Sequence, residues 1–189
     1  MSSEVQNALR RLKPEKRRQP LTSRSASELP FVERASDLPG KLLYDTTVYI
    51  DILQGRFPQE AETAMRAADA WHSTVTEAEL VATCGFLKPD HPDTRKTVEQ
   101  IAAAIERRPA HRTISPDREI WINAGILSGT LSRLQGYGVA DRRRVMNDAL
   151  VFATARKHGL AVLTRNTADF DLLQQLDPVG RVLFYRRLQ

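Results

Sequence analysis

A chain of 189 residues, 41% hydrophobic and 27% charged, has the composition of a globular protein with one sizeable core. The length suits one domain of about 100–200 residues plus an extension. No apolar run approaches the roughly 18 residues that a membrane span needs. A single cysteine, Cys84, excludes an internal disulfide and points to a reducing compartment, the cytoplasm. The formal charge of +5 is concentrated: residues 1–24 hold seven Lys/Arg against Glu4 and Glu15, and the remainder holds 21 of each sign. This pattern predicts a basic arm, not a basic nucleic-acid-binding surface over the whole molecule.

Residues 1–39 read as a basic, flexible N-terminal extension. Val5, Leu9 and Leu12 lie at helical spacing, which predicts a short amphipathic helix stopped by Pro14. The polar stretch 17–33, with several Ser and Pro, reads as linker. No apolar segment follows the basic residues, as a secretory signal would require. A solvated or partner-binding arm is the plainer reading, with an organellar transit peptide as the lesser alternative.

From residue 40 strands and helices alternate. Residues 42–44 predict a strand, followed by a helix over 46–53 that ends near Gly55 and a second over 60–70. A strand over 71–75 leads into a helix over 77–86. Residues 93–107 predict another helix and 111–114 a short strand. Ile120, Ala124, Leu127, Leu131 and Leu134 mark one face of a long helix ended by Gly136. A further helix is predicted over 145–158, with Gly159 just past its end. Residues 160–163 and 181–185 complete the strands. This order predicts an α/β domain over 40–189, a three-layer α/β/α arrangement with a central, mostly parallel sheet.

Four acids stand near strand ends or helix starts: Asp45, Glu79, Asp148 and Asp169. In a parallel sheet the carboxyl ends of the strands share one edge, so acids remote in sequence would converge there. Converging carboxylates call for a divalent cation of the Mg²⁺ or Mn²⁺ type. Each acid also has an ordinary explanation. Asp45 could cap the following helix, Thr76 and Glu79 fit a capping box, and Asp148 and Asp169 could answer the helix dipole. Glu77, Asp141 and Asp171 read as surface acids. The set favours a metal site, because Ser or Thr would serve for caps alone.

The blocks Leu43-Tyr44-Asp45-Thr46-Thr47, Thr76-x-x-Glu79-Leu80, Asn147-Asp148-Ala149-Leu150 through Ala155, and Thr164-Arg165-Asn166-Thr167-x-Asp169-Phe170 resemble those of a PIN domain. The resemblance runs over about residues 40–189 and is greatest to the VapC-type ribonuclease toxins of toxin–antitoxin pairs. It implies that Asp45, Glu79, Asp148 and Asp169 are the catalytic, metal-binding acids for Mg²⁺ or Mn²⁺, with Thr46, Thr164 and Asn166 beside them. It further implies a cytoplasmic homodimer that hydrolyses structured RNA to products bearing a 5′-phosphate, held in check by a cognate antitoxin. The basic extension departs from compact members of the family.

Arg165, Arg142, Arg143 and Arg144 are candidates for gripping an RNA backbone, against the reading of solvated charged turns. Trp71 and Trp121 read as core residues, and Cys84 as a small apolar one. Two other classes compete with the nuclease. One is a non-catalytic RNA- or protein-binding module on the same fold. The other is a phospho-accepting receiver-like or dehalogenase-like domain using Asp45, the latter disfavoured because position 47 is Thr rather than a second Asp.

Overall fold

Five short strands, β1 (Lys41–Tyr44), β2 (Asp69–Ser73), β3 (Thr113–Ile114), β4 (Ala161–Thr164) and β5 (Arg181–Phe184), pair in parallel in the order β3-β2-β1-β4-β5. The computed structural model describes residues 3–35 and 37–189. Side chains of β1, β4 and β5 alternate between two cores, as the two-residue strand period requires. Leu43, Val162, Val182 and Phe184 enter one core, whereas Leu42, Tyr44, Ala161, Leu163 and Leu183 enter the other. A parallel sheet buried on both faces needs helices on each side. The first core is covered by α1 (Glu4–Leu12), α6 (Arg118–Gln135), α7 (Val139–Lys157) and α8 (Thr167–Leu176). The second is covered by α2 (Thr46–Leu53), α3 (Gln59–Arg66) and α5 (Thr94–Glu106), and α4 (Thr74–Phe86) sends Val75 to one core and Leu80 to the other. The domain is the expected three-layer α/β/α arrangement.

Two helices differ from expectation in ways that matter for the site. The helix α7 begins at Val139, six residues before the predicted start, because nothing between Gly138 and Gly159 breaks it. Its charged first turns cost little in water, while residues 149–155 are buried on every side. The helix α3 ends at Arg66, so β2 starts at Asp69 where a helix end was expected. Gly136 and Gly159 close α6 and α7 with positive φ of 64° and 67°, a conformation that a side chain resists.

The extension is not the flexible arm that its composition suggests. After α1 the chain turns at Lys13 and runs back over the first core. Leu12, Leu29 and Phe31 are buried in that core. Arg11 forms an ion pair with Asp177, and Arg24 pairs through Nε with Asp171 at 2.6 Å. Asp171 is fully buried, not a surface acid, and Arg24 also donates its backbone N–H to it at 2.8 Å. Phe31 bridges to Phe184 alongside β5, with the Phe184 N–H donating to the Pro30 carbonyl at 2.9 Å. The polar composition hid this because each apolar anchor is isolated in sequence and finds its partners only in the folded domain.

Candidate active site

The strands β1 and β4 are neighbours, yet the chain leaves β1 towards β2 and leaves β4 towards β5. Their carboxyl ends therefore frame the crevice that open α/β sheets keep at such a reversal. Asp45, the residue after β1, is 3% exposed. It caps α2 by accepting from the Thr47 N–H at 3.3 Å, so the capping reading is right as far as it goes. The same Oδ2 also accepts from the Thr47 hydroxyl at 2.7 Å and from Thr164, at the end of β4, at 2.8 Å. A cap needs only the first of these bonds. The hydroxyls orient the carboxylate across the crevice.

Glu79 arrives on the second turn of α4. Ser73, not Thr76, is the N-cap of that helix, and the Thr76 hydroxyl turns instead to the Tyr44 carbonyl at 3.4 Å. The capping-box reading of Glu79 is thereby excluded. Glu79 accepts from the Thr46 hydroxyl and from Asn147 Nδ2, the latter at 2.8 Å. Glu77 faces elsewhere, with Oε1 3.5 Å from the buried guanidinium of Arg108.

Asp148 lies in the middle of α7 because that helix starts early, so neither capping nor the dipole accounts for it. It is 7% exposed, and Asn166 Nδ2 lies 3.3 Å from its Oδ2. Burial, then the charges of Asp45 and Glu79, push its carboxyl well above the ordinary carboxylate range, and Arg144 and Asn166 oppose this only in part. Asp169, in the first turn of α8, is 1% exposed. Asn166 caps that helix and donates Nδ2 to Asp169 at 3.0 Å, and the Tyr137 hydroxyl adds a bond at 3.4 Å. Asp45, Asp148 and Asp169 are thus linked through Thr164 and Asn166, while Glu79, held by Thr46 and Asn147, is near enough for its charge to act on Asp148.

The four arginines diverge. Arg144 forms an ion pair with Asp169 and lies 3.8 Å from Asp148, so it sits on the acids instead of waiting for a phosphate. Arg165 turns away from the crevice to the buried Asp51, with Nε 2.8 Å from Oδ2. Arg142 lines a separate hollow with Ser128, Gly129, Ser132 and Arg133. Arg143 lines a cleft whose wall includes Glu79 and Asn147. Trp121 lines the same cleft and is half-exposed, not a core residue as expected, whereas Trp71 packs on the first core. The positioning roles of Thr47, Tyr137 and Asn147 escaped the sequence reading. Thr47 and Asn147 adjoin marked residues, and Tyr137 gave no signal.

With these partners engaged, no three Asp, Glu, His or Cys side chains among the described residues close around a single point. The donor set is nevertheless one that a hard divalent cation fits. It consists of carboxylate oxygens, and the crowding that raises Asp148 is relieved by positive charge. Mg²⁺ retains several of its waters, so it does not need three direct carboxylates.

The PIN domain family matches residues 42–174. The chain belongs to that family. Solved structures share the fold at low identity. FitAcB from Neisseria gonorrhoeae is 21% identical, with a TM-score of 0.54, over 76% of this chain and 96% of its own. DNA-bound VapBC from Salmonella typhimurium is 19% identical, with a TM-score of 0.54, over 76% and 97%. VapBC2 from Rickettsia felis, bound to a fragment of its promoter, is 14% identical, with a TM-score of 0.54, over 77% and 98%. No curated protein sequence matches the chain.

Proposed function

We propose that the protein is a divalent-cation-dependent endoribonuclease and the toxin of a toxin–antitoxin pair. The observation that carries this reading is the convergence of Asp45, Glu79, Asp148 and Asp169 at the reversal of the sheet, with Asp148 buried mid-helix where no structural task requires an acid. Asp45 and Asp148 would hold the cation, and Glu79 and Asp169 would complete its surroundings directly or through water. When bound, the cation supplies Lewis acidity and neutralises charge on a phosphodiester. The hydroxyls of Thr47 and Thr164 fix the Asp45 carboxylate, and Thr46 and Asn147 fix Glu79. Asn166 sets the spacing between Asp148 and Asp169. Water would add to phosphorus as the bond to the 3′ oxygen breaks, leaving a 5′-phosphate and a 3′-hydroxyl. Membership of the PIN family supports nuclease chemistry, and the VapBC and FitAcB neighbours support an antitoxin partner, as does the resemblance to VapC toxins. A homodimer belongs to the same reading. No helix among the described residues is long and apolar enough to cross a membrane.

One observation favours the non-catalytic alternative: Arg144 already pairs with Asp169 and lies beside Asp148. Purified protein incubated with RNA in Mg²⁺, in Mn²⁺ and in chelator decides between the two. The nuclease reading expects cleavage in either metal that chelator abolishes and that Asp45→Asn or Asp148→Asn reduces by more than about 100-fold. Full cleavage by either variant would defeat the assignment.

A further inference from the structure

Between α4, α6 and α7 lies a cleft of about 390 Å³ that shares a wall with the acids, because Glu79 and Asn147 face both. Its size is within the roughly 300–1,000 Å³ of small-molecule sites. Three features define it. Trp121, 50% exposed, sits one position along α6 from the buried Ile120 and lines the cleft. Ala78 and Ala82 on α4 leave room opposite. Arg143 lines the cleft as well and has no hydrogen bond or ion pair among the described residues, whereas Arg144 and Arg165 are committed to carboxylates.

We infer that this cleft is a nucleobase subsite, in which one base of a single-stranded RNA stacks on Trp121 while Arg143 contacts the adjoining phosphate. The inference rests on the ribonuclease reading of the neighbouring acids. A strand whose scissile phosphate lies at Asp45 and Asp148 can place a flanking nucleotide beside Glu79, whose side chain also lines this cleft. An indole face accepts any base, and a free guanidinium on the same rim suits the backbone phosphate that each base carries. The subsite would therefore set affinity next to the cut and favour unpaired RNA, since a base within a duplex cannot reach the indole.

The test uses the full chain carrying Asp148→Asn, to prevent cleavage, and short single-stranded RNAs with one abasic position moved along the strand. Trp121→Ala is expected to weaken binding of intact RNA by about 5- to 150-fold, the span of one stacked base, and Trp121→Phe to retain most of it. One abasic position should erase the difference in affinity that Trp121→Ala makes. Arg143→Gln should lower the salt slope by about one contact without changing base dependence. Unaltered RNA binding by Trp121→Ala, with native thermal unfolding, would overturn the subsite. Cleavage by the otherwise native enzyme, measured alongside, separates the two levels. Metal-dependent cleavage with an indifferent Trp121→Ala overturns the subsite only, and absence of both cleavage and RNA binding overturns the ribonuclease reading as well.

Discussion

Arg144, on the second turn of α7, holds the carboxylate of Asp169, on the first turn of α8, from across the crevice. Its guanidinium is only 3.8 Å from Asp148, so an internal cation shares the ground that a metal ion would need. Arg144→Gln should therefore raise the affinity for Mn²⁺. Without metal the variant should be less stable by about 1–3 kcal/mol, because the buried Asp169 loses its charged partner. Thermal unfolding across a Mn²⁺ titration checks both effects. A variant with unchanged metal-free stability and unchanged Mn²⁺ response would show that the ion pair carries no weight.

Asp148 gives the opposite sign. Its charge is opposed by burial, Asp45 and Glu79, so Asp148→Asn should leave metal-free stability unchanged or raise it by on the order of 1 kcal/mol. The same change should remove most of the stabilisation conferred by Mg²⁺ or Mn²⁺. Glu79→Gln should behave similarly but more weakly, since Glu79 is less buried. Denaturant unfolding with and without metal measures these effects, and clear destabilisation of metal-free Asp148→Asn would contradict crowding of the acids.

Removal of residues 1–38 is expected to damage the fold, not simply to remove charge. It uncovers the surfaces that bury Leu12, Leu29 and Phe31 and leaves the fully buried Asp171 without Arg24. At about 1.5–3 kcal/mol for each buried apolar side chain, the loss should reach about 5 kcal/mol or more. Denaturation of the shortened chain tests this. A midpoint equal to that of the full chain would restore the flexible-arm reading.

His72 should introduce a dependence on pH of its own. Burial, then Arg108 and Arg112, lower its pKa to about 4, and Nδ1 lies 2.5 Å from the Tyr49 hydroxyl. The unfolded chain takes up a proton near pH 6.5 that the folded chain refuses until about pH 4. This contribution to stability is therefore complete above pH 6.5 and is lost as the pH falls from there towards 4. Melting temperatures across that window should fall less steeply in His72→Gln than in the native chain. Parallel curves would remove His72 as the cause.

Periodicity made most of the domain legible. The apolar face of α6 and the short buried strands β1 and β4 announce themselves through local spacing, and the acids stood out because the sheet edge gathers strand ends. What stayed hidden depends on distance in sequence. Arg24 and Asp171 are 147 positions apart, so neither could be assigned to the other by any local pattern. The start of α7 was misplaced because its charged first turns carry no apolar stripe, and with it the mid-helix placing of Asp148 was missed. Arg165 adjoins site residues in sequence, but its side chain answers Asp51, a buried acid that stands outside every motif.

The bridge from Phe31 to Phe184 bears on how copies of this protein can meet. An exposed outer strand offers free N–H and C=O groups on which another chain can extend the sheet. At the end of β5 the groups of Phe184 are engaged by the passing extension, as Phe184 donates to Pro30 and accepts from Val32. The opposite outer strand, β3, is two residues long and gives a newcomer little to grip. With Phe184 on one margin occupied and the other margin only two residues long, the sheet offers little open edge for another chain to extend.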